Sequence, residues 1–136
     1  MPAAITIEEI LHARLIASAP VTAIVGQRIY PMTLPQGFTP PAITYFLATG
    51  VLGLTMGIAL PTDEPHLQFS CWAKSYGQAK QLAAAVRAAL NGYVDLTTNP
   101  QVNAVVARSN GPDFFEPDTA LYHMPLDVSV LTQVTS

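Results

Sequence analysis

Three histidines, one cysteine and a group of three carboxylates are the residues of this chain whose types could do chemistry. His12, His66 and His123 stand apart, and no H-x₃-H or C-x₂-C spacing joins them. A structural zinc site is therefore not expected, because its ligands come as closely spaced nitrogen and sulfur pairs. His12 reads as a surface or edge residue of a helix, and His66 and His123 precede or sit in strands. Cys71 would need a neighbouring histidine and an electropositive setting to act as a nucleophile. It sits instead on the apolar side of a predicted strand beside Phe69, where a free thiol packs as a small hydrophobe. Its solitude excludes an intramolecular disulfide and fits a reducing compartment. Asp113, Glu116 and Asp118 match neither an EF-hand nor a Mg²⁺ motif. They read as a solvated loop or an inter-subunit salt-bridge patch, with Asp118 or Thr119 bonded to its own turn. No glycine pattern matches a phosphate or dinucleotide loop. No catalytic residue, metal or cofactor is expected. The enzymatic alternative is a small ligand-binding domain or enzyme with a pocket near Cys71 and His66 or His123.

Binding features are more prominent. Of 136 residues, 50% are hydrophobic and only 11% are charged, against roughly 25% in an average soluble domain. The length predicts one domain over residues 1–136. Disorder is excluded, since it needs low hydrophobicity and high charge. Six Lys and Arg against nine Asp and Glu give a net charge of −3, which argues against a dedicated nucleic-acid binder.

The charge deficit is local. No charged residue occurs from Ile29 to Thr62. Within that stretch, Ala42 to Leu60 approaches the length of a membrane span, about 20 apolar residues. Three threonines and three glycines interrupt it, its first part alternates, and no basic residue flanks it to set an orientation. A span is not expected. No basic leader precedes the acidic Glu8 and Glu9, so a cytoplasmic location follows. An arm from Gly50 to Leu60, carrying Val51, Leu52, Leu54, Met56, Ile58 and Leu60, either folds onto its own core or forms an association surface. Trp72 points away from Phe69 and Cys71, and becomes an interface anchor if no helix covers that face. Phe114 and Phe115 are adjacent in an extended loop and must point opposite ways.

The elements that position these groups are legible. Thr6 and Glu9 have capping-box spacing, and Ile7, Ile10, Leu11 and Leu15 recur at helical period. Pro20 is expected to stop this helix, with Val21–Val25 one extra turn ended by Gly26. Arg28–Pro31 is extended before its proline, and Thr33–Pro41 is a loop. Ile43–Ala48 is a strand, followed by a long connection, Gly50–Pro65, that forms a hairpin arm or loop. Leu67–Ala73 alternates as a strand. Ser75 and Gln78 cap a second helix whose stripe is Ala79, Leu82, Ala83, Val86 and Leu90, and Asn91-Gly92 stops it. Lys80 and Arg87 lie off that stripe and point to solvent. Tyr93–Leu96 is short and extended. Val102–Ser109 is a strand, Asn110–Asp118 a loop, and Leu121–Leu131 the last strand, with Pro125 marking an edge or bulge. The order predicts an α+β fold: a mainly antiparallel sheet, two principal helices packed on it, and a long loop or hairpin arm between the second and third strands.

Five segments together resemble the tail-completion proteins of tailed phages, also described as tail terminator or tail-to-head joining proteins. They are Gly26–Pro31 (GQRIYP), Pro41–Tyr45 (PAITY), Phe69–Ala73 (FSCWA), Tyr76–Ala79 (YGQA) and Phe115–Tyr122 (FEPDTALY), in the family's order and covering most of the chain. The arm departs from the family in being unusually apolar. The resemblance implies a non-catalytic structural protein that forms a ring, usually of six copies. The ring would cap the tail tube and dock to the head connector or stopper protein, with DNA only as passing cargo and no membrane. It implies a place in the tail of a virion or phage-like particle, assembled in the bacterial host cytoplasm. On this reading the candidate contact residues are those of the arm, Trp72, Tyr30, and Asp113, Phe114, Phe115 and Glu116, with Arg28 as an ionic partner.

Overall fold

The computed structural model describes residues 6–49, 52–55, 58–63, 65–98, 101–110 and 113–133. Thr6 opens the first helix, α1 (Ile7–Ile16), by accepting a hydrogen bond from the Glu9 backbone N–H at 3.2 Å, while the Glu9 carboxylate reaches back to Thr6. Ile7, Ile10, Leu11 and Leu15 form its buried stripe, as their spacing predicts. Pro20 does not end this helix. The break falls at Ala17 and Ser18, and Pro20 lies in the first turn of a separate helix, α2 (Ala19–Val25). A first-turn N–H has no intrahelical partner, so proline costs nothing there. Among the described residues there are thus three helices, the expected extra turn at Val21–Val25 being part of α2. Gly26 closes α2 at φ +59°.

A mixed sheet follows. β1 (Ile29–Pro31) pairs in parallel with β2 (Ala42–Thr49), and β2 pairs antiparallel with β5 (His66–Ala73). The connection between β2 and β5 carries an antiparallel hairpin of β3 (Leu52–Thr55) and β4 (Ile58–Asp63). The stretch from Ala42 to Leu60 is therefore strand where described, and no helix among the described residues is long and apolar enough to cross a membrane. β4 is rooted on the last strand, β8 (Leu121–Gln133), through Thr62 opposite Gln133 and Asp63 opposite Thr132.

β8 is central, paired with β5 along one side and with β6 (Gln101–Asn110) and β7 (Phe114–Glu116) along the other. Part of the expected 110–118 loop is thus the strand β7. Pro125 is not on an edge. It stands opposite Ser70 of β5, next to a shift in the β6 register between Ala107, opposite Val128, and Asn110, opposite Leu126.

The third helix, α3 (Tyr76–Leu90), starts where Ser75 accepts from Gln78 N–H at 3.1 Å. It lies across β5, β8 and β6, and α1 and α2 lie against it. Its alanines, Ala79, Ala83 and Ala89, are buried and let it approach the sheet closely. Beneath it are Phe69, Cys71, Met124, Leu126, Val128 and Val130, all buried in one core. Arg14 ties α1 to the end of α3 by donating to the Ala89 carbonyl at 2.9 Å, its guanidinium over the Tyr93 ring. Gly92, at φ +82°, turns the chain so that its N–H meets the Val105 carbonyl. Among the described residues, all helices cover one face of the sheet and the other face carries none.

Candidate functional site

Strand alternation separates the groups that a cysteine-based site would need. Cys71 pairs with Ile43 and Met124 and points into the helix-covered core, fully buried. Burial pushes its thiol pKa up to about 12, so the thiolate is suppressed at neutral pH. His123 and His66 belong to the opposite face: His123 stands across from Trp72, and His66 lies beside Ser129. Among the described residues the pocket of the alternative reading, shared by Cys71 and a histidine, is not seen, because alternate strand positions point opposite ways. His12 is not a free surface residue either. Its Nδ1 lies 2.9 Å from the Tyr45 hydroxyl, joining α1 to β2.

Trp72 does lie on the face without helices. It is half-buried, its Nε1–H donates to Thr44 Oγ1 at 3.0 Å, and its ring stacks on His123 at 4.2 Å. Phe114 leans on the other side of His123, at 5.6 Å. Phe115 goes to the opposite face, against Tyr122 at 4.9 Å. The two phenylalanines diverge as adjacent strand positions must, and each stays about half exposed.

The acidic group is divided. Asp113 binds its own chain: it accepts from the Tyr76 hydroxyl at 2.7 Å, and Lys80 donates to it at 3.0 Å. Lys80 and then Tyr76 hold the Asp113 carboxyl below the usual range, and Asp113 in turn raises Lys80. Lys80 reaches solvent as expected and is paired there with Asp113. Glu116 accepts from Thr119 within its own turn at 3.5 Å.

Arg28 is half-buried and donates to the carbonyls of Pro41 and Ile24 at 2.9 and 3.3 Å, so its guanidinium is engaged within the subunit. Tyr30, in β1, is half-buried at the sheet's edge. In the arm, Leu52 and Leu54 lie in β3, and Ile58 and Leu60 in β4. Val51 and Met56 lie outside the described residues.

One cavity escapes sequence reading. A space of about 350 Å³ opens between the first turn of α1 and the ends of β1 and β2. Glu8, Glu9 and Thr6 line one side, and Pro31, Met32, Tyr45, Phe46 and Leu47 the other. Met32 holds φ +66° there, a left-handed conformation that costs a non-glycine residue about 1–2 kcal/mol. Its N–H is satisfied by the Tyr45 carbonyl at 2.8 Å, and its side chain is 68% exposed. Nothing in the local pattern announces this cavity, since its walls come from three segments well separated in sequence.

Among the described residues no group of three His, Cys, Asp or Glu side chains could hold a metal ion. The profile of the family described as "Tail completion protein gp17" matches residues 9–133. No curated protein matches the chain. Among solved structures, a chain of the "Virion of native gene transfer agent (GTA) particle" superposes with a TM-score of 0.72 at 16% identity, over 90% of this chain and 91% of that one. A second solved chain superposes with a TM-score of 0.55 at 14% identity, over 96% of this chain and 99% of that one. At such identities the likeness is one of fold, and it agrees with the profile match over nearly the whole length: the chain belongs to the tail completion protein gp17 family.

Proposed function

We propose that this protein is a ring component, of six copies, that ends the tail tube of a tailed phage or phage-like particle and joins it to the head connector, leaving a lumen for DNA. The observation that carries this reading is the family match over residues 9–133. The fold shared with a chain of a phage-like virion particle supports it. So does the surface: a sheet face without helices among the described residues, exposed Phe114, Val106 and Leu131, and a hairpin arm between β2 and β5 with no charged residue before Asp63. In a closed ring each copy presents one patch to a different patch on the next. The arm and the 113–116 segment are the contact regions we assign to it. A net charge of −3 suits a lumen that must let DNA slide, because it neutralises few phosphates. On this reading the partners are other copies, the tube protein and the connector or stopper, and assembly takes place in the host cytoplasm.

Native mass spectrometry at micromolar concentration, with and without purified tail tubes, tests the proposal. A ring-sized species that forms with tubes and stays on their ends is expected. A persistent monomer that ignores tubes would remove it.

A further inference from the structure

We propose that the free outer edge of β2 takes β7 of a neighbouring copy as an added strand, so that main-chain hydrogen bonds between sheets close the ring. The inference rests on the ring reading above. β1 covers the outer edge of β2 only from Ile43 to Tyr45. Beyond that, no strand among the described residues pairs with the outer side of Phe46–Thr49 or of β3. The left-handed Met32 turns the chain away, and the cavity beside Phe46 and Leu47 is the place where β1 would have continued. The backbone groups there point outward. Ile43 N–H donates to the Arg28 carbonyl, and the Tyr45 carbonyl accepts from Met32 N–H. Leu47 is the next position in that alternation, so its N–H and carbonyl aim at the open edge. From Phe46 to Thr55 this edge has no charged residue and no proline, the devices by which free edges are kept from pairing.

The other edges of the sheet single out the partner. β1 is closed by Pro31, which has no N–H, and by local bonds from Ile29 N–H to the Gln27 carbonyl and from Thr33 N–H to the Pro31 carbonyl. β6 is closed from Val102 to Ala107: Val102 exchanges both bonds with Asp95, the Val105 carbonyl accepts from Gly92, and Ala107 N–H donates to the Asn91 side chain. β7 pairs with β8 alone, and no other backbone bond reaches Phe114 or Phe115 among the described residues. The β2 edge paired with itself would be isologous and would stop at a dimer, whereas the β2 edge on β7 joins two different patches, as a ring requires. The side chains agree with this pairing. Leu47, opposite Leu67 of the core, and Phe115, against Tyr122, are half exposed on the helix side of the sheet. Phe46 and Phe114 lie on the other face. An added strand therefore sets apolar against apolar on both faces.

Backbone and side chain are separable at Leu47. The concentration for half-assembly is read by native mass spectrometry on the full chain with tail tubes present. Leu47→Pro removes the outward N–H without taking a bond from the β2–β5 ladder, and should raise that concentration about tenfold, the worth of one hydrogen bond per contact. Leu47→Ala, which keeps the N–H, should raise it less. A bismaleimide reaching about 8 Å, the span of diagonal neighbours on paired strands, should link the Leu47→Cys/Phe115→Cys variant into a covalent ladder. It should link Leu47→Cys/Phe114→Cys far less, because those side chains lie on opposite faces. Cys71 is fully buried and stays out of the reaction. If thermal melts show that Leu47→Pro does not fold, the cross-linking alone decides. If wild type forms rings and a folded Leu47→Pro forms them at the same concentration, or Phe115→Cys links no better than Phe114→Cys, the edge contact is overturned while the ring stands. If wild type forms no ring on tubes, the ring reading falls and this contact with it.

Discussion

Trp72 and His123 lie ring on ring across the β5–β8 ladder, 4.2 Å between centroids and 7° from parallel. They sit on the face without helices, and His123 Nε2 is buried with no hydrogen-bond partner among the described residues. Burial lowers the His123 pKa below its usual 6.5, with a weak opposing pull from Glu116.

That shift fixes a pH dependence. A histidine whose folded pKa is depressed favours the fold fully above the unfolded value, and that contribution is lost as pH falls below 6.5 toward the folded pKa. The denaturant midpoint should therefore drop between pH 7.5 and pH 5.5. His123→Phe, which keeps the stack without a titrating group, should show a flatter profile over the same interval. Equal slopes in the two proteins would sink this assignment.

Cys71 should be chemically silent in the folded protein. With its thiol buried and raised to about 12, a water-soluble disulfide reagent at pH 8 should label it only at the rate of unfolding. Cys71→Ser should destabilise by about 1–3 kcal/mol, the cost of a buried hydroxyl without a partner, read from urea titration.

Phe69 is the largest fully buried side chain beneath the helices, stacked on Tyr45 at 5.7 Å. Phe69→Ala should cost about 3–5 kcal/mol through lost burial and a residual cavity. Phe69→Leu should cost clearly less. Calorimetry on both variants checks the order.

Thr6→Ala should cost about 1 kcal/mol by leaving an N–H of the first turn of α1 without its acceptor. The same variant should loosen the cavity wall that Glu8 and Glu9 form. Faster amide exchange confined to the first turn of α1 is the expected signature.

Much of this architecture is written locally. The capping box at Thr6 and Glu9, the apolar stripes of α1 and α3, the alternation of β5 and the stop at Asn91-Gly92 all depend on residues within a few positions of one another. Their energetics are decided before the chain collapses, and so they can be read along it. The divergence of Phe114 and Phe115 follows in the same way from the two-residue period of extended backbone. That Cys71 and His123 occupy opposite faces of one sheet follows from the same period once the β5–β8 pairing is known.

Only the tertiary structure decided the rest, because it depends on partners far away in sequence. Pro20 begins α2 rather than ending α1, since a first-turn position forgives its missing N–H. Pro125 sits in the central strand, beside a register shift in β6 between Ala107 and Asn110. Asp113 turned inward to Lys80 and Tyr76, more than thirty residues away, and Arg28 to the carbonyls of Pro41 and Ile24. The cavity under α1 needed the Tyr45 carbonyl to hold Met32 in a left-handed turn. Composition alone established that this chain carries too little charge between Ile29 and Thr62. The sheet then buried Ile29, Ala42, Ile43, Thr44 and Tyr45 of that stretch in β1 and β2 and carried much of the rest into a loop and the β3–β4 hairpin.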